Sequence, residues 1–113
     1  MTDIERHAAL LADLDREVKT TVYLSRQEAR HYEDQAGGDY RFADRMIEDM
    51  ERFRTMARND AAALIRGMAF DGDFRAFVEA GVAGLAAPGS RGDCRHGAGV
   101  APIVALLQRH LES

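Results

Sequence analysis

The residues of this chain whose types and spacing could do chemistry fall in two places. The first is "SRGDCRHGAG", residues 90–99, around the single cysteine, Cys94. Nearby cations lower a thiol pKa and make cysteine nucleophilic at neutral pH. Arg91, Arg95 and His96 would supply that field, and Asp93 opposes it. The segment therefore reads as a possible reactive thiol or as an exposed connector that happens to hold a cysteine. With one cysteine the chain has no resolving thiol of its own, so redox chemistry at Cys94 would need a second molecule. Cys94 with His96 is half of a zinc ligand set. His7 and His110 are the other distant candidates, and no second close-spaced pair completes the tetrahedron that structural zinc requires.

The second place is "EARH", in which Glu28 and His31 lie three residues apart. On a helix that spacing sets carboxylate and imidazole side by side, as in the ligand pairs of di-iron carboxylate bundles. Such a centre needs a second pair and two further carboxylates. Across a turn at Gly37–Gly38, Asp44 and Glu48 would supply the carboxylates, and a two-fold dimer would double the set. The plainer expectation is a solvated face with contacts three residues apart. Ser25 and Ser90 have no nucleophile context. No glycine pattern forms a phosphate loop or a dinucleotide fingerprint, so no cofactor is expected.

The elements that would position these residues read as helices. Ile4, Ala8, Leu11, Leu14 and Val18 share one helical face, with Leu10 widening it, and predict a helix over 3–18. Residues 19–24, "KTTVYL", favour a strand by residue type. Yet Val22, Ala29, Tyr32 and Ala36 continue the helical stripe, while Ser25 and Glu28 form a capping-box pattern that starts a new helix at 26. Two readings stand: one helix from 3 to 36, or helix, extended segment, helix. Gly37–Gly38 ends the element in both.

Asp39 caps the clearest helix, 40–69. Phe42, Met46, Met50, Phe53, Ala57, Ala61, Leu64 and Met68 recur at spacings of three and four, with Ile47 and Ile65 beside them. Asp44, Glu48, Glu51, Arg54 and Arg58 form the charged side. Asp73 caps a third helix over 74–86, in which Gly81 and Gly84 either weaken the helix or admit a close neighbour. Residues 88–100 read as loop, and Pro102 opens a last helix over 101–112 with Ile103, Leu106, Leu107 and Leu111 inward. The expected architecture is one all-α domain spanning 1–113, a long antiparallel helical hairpin with two shorter helices, like a four-helix bundle.

The stretch "KTTVYLSRQEARHYEDQAGG" with the helix that follows resembles the ribbon-helix-helix DNA-binding family over about residues 19–50. That resemblance implies a repressor whose strand side chains, Lys19, Thr21 and Tyr23 or Thr20 and Val22, enter the major groove. Here an 18-residue helical segment precedes the strand position. The net charge of −4 argues against broad charge-driven nucleic-acid binding, which needs a clustered positive surface.

Hydrophobic residues make up 46% of the chain and charged residues 30%, the balance of a globular domain. No stretch approaches the roughly 20 apolar residues needed to span a bilayer. With one cysteine and no signal-like apolar run, a cytoplasmic setting is expected. The apolar stripes exceed what so small a bundle needs for itself. The expected function is therefore a non-enzymatic interaction or regulatory protein, self-associating as a dimer and binding a protein partner through Phe42, Met46, Met50 and Phe53.

Overall fold

The computed structural model describes residues 1–86 and 94–112, with the side chains of 94–97 excepted. The architecture is all-α: α1 Asp3–Glu17, α2 Arg26–Gln35, α3 Tyr40–Arg66, α4 Phe74–Ala86 and α5 Cys94–Glu112. No strand occurs among the described residues, and no helix in them is long and apolar enough to cross a membrane.

Capping chemistry sets most of the boundaries. Thr2 accepts from the Glu5 backbone N–H at 3.1 Å, and Glu5 accepts in return from the Thr2 backbone. Ser25 and Glu28 form the same reciprocal box at 3.2 and 3.0 Å, so α2 starts where the sequence pattern places it. Asp39 accepts from the Phe42 N–H at 3.1 Å, and Asp73 from the Ala76 N–H at 3.1 Å. Gly37 and Gly38 turn the chain between α2 and α3 at φ 62° and 94°, angles that other residues rarely adopt.

The first arm is therefore broken into two helices, with a turn over 18–20 and an irregular connecting segment over 21–25 between them. The hairpin at Gly37–Gly38 is real, but its arms are α2 and the first half of α3. The expected pairing of a continuous 3–36 helix along the whole of α3 is replaced by a division of labour. The principal neighbour of α3 is α5, while α1 packs on α5 and α4.

The start of the last helix also differs from expectation. Residues 94–100 belong to α5, so Pro102 lies inside the helix and not in its first turn. One glycine that read as loop, Gly99, serves close packing. A Cβ at Gly99 would come within 2.6 Å of the Arg54 carbonyl oxygen and 2.8 Å of Ala57 Cβ, so only glycine lets α5 approach α3 there. Gly81 works similarly: a Cβ would fall 2.9 Å from Ile65 Cδ1. The remainder of the expected loop, 88–93, lies outside the described residues.

The hydrophobic core unites Leu10 and Leu14 of α1, Ala61, Ala62 and Ile65 of α3, Phe74, Phe77, Val78 and Leu85 of α4, and Val100, Ile103, Leu106 and Leu107 of α5. No residue between 19 and 56 belongs to it. His7 caps one end of the core by stacking on Phe70, with ring centroids 4.3 Å apart. The molecule is elongated, 55 × 27 × 20 Å, with a radius of gyration of 16.5 Å. A compact chain of this length would have about 13 Å.

Candidate interaction surface on the helical arm

The segment outside the core, residues 26–56, is a helical arm carried on the body formed by α1, α4, α5 and the second half of α3. α2 has no buried residue, and on the first half of α3 only Ala43 is fully buried. Alanine at the contact lets the two helices lie close, but it removes little apolar area from water.

Polar contacts anchor the base of the arm. Glu28 pairs with Arg54 across the hairpin. The guanidinium beside it, with the Ser25 backbone N–H, holds the Glu28 carboxyl down at about 2. Arg54 keeps a buried Nε with no acceptor, so its hold on Glu28 runs through Nη2. Glu51 accepts from the Leu24 N–H at 2.8 Å, tying the segment before α2 to α3.

Below these, Arg58 is 2% exposed, although the spacing assigns it to the charged side of α3. Its Nη1 donates to the Thr20 carbonyl and hydroxyl at 2.9 and 3.0 Å, and its Nη2 to the Val18 carbonyl at 3.0 Å. Asn59 accepts the remaining Arg58 contacts at 3.2–3.3 Å. Every acceptor is neutral. Val18 is the C-cap of α1, so Arg58 closes the carbonyl end of that helix, where the dipole favours a cation. This residue was missed by sequence reasoning. Its signal is faint: Arg58 sits between Ala57 and Ala61, beside the most buried row of α3.

The four expected interaction residues lie on the arm. Phe42 is 52% exposed and Phe53 39%, while Met46 and Met50 are half-buried. The structure adds Met56, 55% exposed, to the same row. Phe42, Met46, Asp49, Phe53 and Met56 follow at alternating spacings of four and three, the repeat that keeps one seam facing a partner helix.

Glu28, His31, Asp44 and Glu48 are not gathered. Glu28 is engaged by Arg54, His31 is exposed with its ring edge-on to Tyr32 at 5.4 Å, and Asp44 and Glu48 are exposed on α3. Among the described residues no three His, Cys, Asp or Glu side chains stand together as a metal ligand set. Residues 19–24, the strand of the ribbon-helix-helix resemblance, spend the Thr20 carbonyl and the Leu24 N–H on α3. The backbone of Cys94 begins α5, and its side chain lies outside the described residues.

A cleft of about 220 Å³ lies where α1, the segment before α2, α3 and α5 meet, lined by Glu17, Thr21, Tyr23, Arg54, Arg58 and Pro102 among others. Among the described residues its lining holds no histidine, cysteine or lysine. Arg54 and Arg58 in that lining are committed to Glu28 and to the end of α1. What the arm offers chemically is a contact face, and compared with protein-family models, curated proteins and solved structures the chain matches none.

Proposed function

We propose that this protein is a small helical interaction protein that self-associates through the exposed face of its arm, as a dimer. The observation that supports this reading is the row Phe42, Met46, Phe53 and Met56, held out on a helix that adds nothing to the core along that stretch. Large apolar side chains gathered in a row cost free energy in water and gain it against a matching surface. A second copy carries the same row, and two-fold pairing is the commonest way to bury it. A regulatory role in the cytoplasm fits a chain that works by holding partners together, and a further protein partner would engage the same apolar face.

The test is a comparison of the wild type with Phe42→Ser/Met56→Ser by sedimentation velocity. Neither position belongs to the core, so the variant keeps its far-ultraviolet circular dichroism. The wild type should show a faster boundary that grows with concentration, and the variant a monomer throughout. Identical boundaries for the two would sink the proposal.

A further inference from the structure

We infer that the two arms cross antiparallel, with Asp49 of each copy at the centre of the contact and the arginines of both copies around it. This rests on the self-association reading above and specifies how the second copy sits.

The seam reads Phe42, Met46, Asp49, Phe53, Met56. Laid against its own reverse, it sets Phe42 opposite the other copy's methionine at 56, and Met46 opposite the other copy's phenylalanine at 53. Every apolar layer then joins a thioether to an aromatic ring, a pairing with a favourable contact of its own. A parallel, in-register pairing stacks Phe on Phe and Met on Met and forgoes it. Parallel pairing also aligns the two α3 dipoles, whereas antiparallel pairing opposes them.

The charges around the centre make the same choice of partner. Arg45 and Arg52 lie one turn to either side of Asp49 on one flank of the seam, and Arg52 reaches Asp49 at 3.5 Å within the chain. At a two-fold crossing centred on Asp49, two carboxylates are bracketed by four guanidiniums. A charged residue within an otherwise apolar seam fixes register, since a slip of one turn would set Asp49 and its own Arg52 against Phe or Met of the other copy. The first half of α3, residues 40–56, carries four arginines and four acids, so two copies meet without net repulsion.

The test uses single cysteines in a Cys94→Ser background and a short bis-maleimide linker. One chain carries Phe42→Cys, the other Met56→Cys, with tags of different size. The mixture should give a linked heterodimer several-fold faster than either chain links to itself. Fastest linking of Phe42→Cys to itself overturns the antiparallel crossing and leaves self-association standing. Equal rates in all samples, or no linking while the wild type is dimeric, also overturn it. A monomeric wild type removes the underlying reading instead. A second measurement reads the charges directly. Asp49→Arg alone, and Arg45→Asp/Arg52→Asp alone, should each remain monomeric, while their mixture associates. Self-association of Asp49→Arg at the wild-type level would overturn the central placement of Asp49.

Discussion

At the scale of single residues, two arginines, Arg58 and Arg54, secure the base of the arm by different means. Arg58 is buried and satisfies backbone carbonyls at the end of α1, so its removal leaves acceptors without donors inside the protein. Arg58→Leu should cost about 3 kcal/mol, read as a lower urea midpoint, because each stranded polar group costs roughly 1–3 kcal/mol. Arg58→Lys should lose less, since the ammonium keeps the charge but cannot span Val18, Thr20 and Asn59 together. Equal stability of Arg58→Leu and the wild type would mean that the carbonyls find water instead. Glu28 is half-solvated, and its contribution is a matter of pH. Its folded pKa, about 2, lies below the ordinary carboxyl value of 4.5. The folded state therefore binds fewer protons between these values. The stabilisation is complete above the upper one and is lost as pH falls through the lower one. Glu28→Gln should match the wild type near pH 2 and fall below it above pH 5, in thermal melts across that range.

At the scale of elements, the sequence is legible wherever a local signal decides the outcome. Ser25 with Glu28, Asp39 and Asp73 each start a helix because a side-chain oxygen close in sequence satisfies an N–H of the first turn. Gly37–Gly38 ends one because the backbone there is left-handed. The four-and-three spacing of α3 was readable as well. Which part of that stripe is covered was not, because covering depends on α5, and Gly97, Gly99 and Pro102 disguise its first turns as loop. Gly99 is there for contact with Arg54 and Ala57, a reason no local pattern carries. Gly99→Ala decides between two effects of opposite sign. Helix propensity favours alanine by about 1 kcal/mol, while forcing backbone apart in a packed interface costs about 2–3 kcal/mol. The expected outcome is a net loss of about 1–2 kcal/mol in denaturant unfolding; a gain would show that α5 does not press on α3 at that turn. Arg58 was illegible for a related reason. Amphipathic spacing says that a side is polar, but not that the end of another helix will come to rest on it. Of the candidate site, Phe42, Met46, Met50 and Phe53 were legible as apolar stripe residues, whereas Met56 and Asp49 gained meaning once the arm was seen outside the core.

At the scale of the whole molecule, the body and the arm differ in how they are stabilised. The body buries its own core from α1, α3, α4 and α5. The arm holds a short hairpin on one buried alanine, a few polar ties and a row of exposed Phe and Met. Its seam, about 21 Å long at 1.5 Å per residue, is short for a protein interface. Self-association should accordingly lie in the micromolar range, with mass rising on concentration. The most direct measurement is the light-scattering mass of the wild-type chain at about 10 µM and about 500 µM, concentrations that bracket such an affinity. The mass should climb toward twice that of a single chain at the higher concentration. A mass of one chain at both would contradict the account.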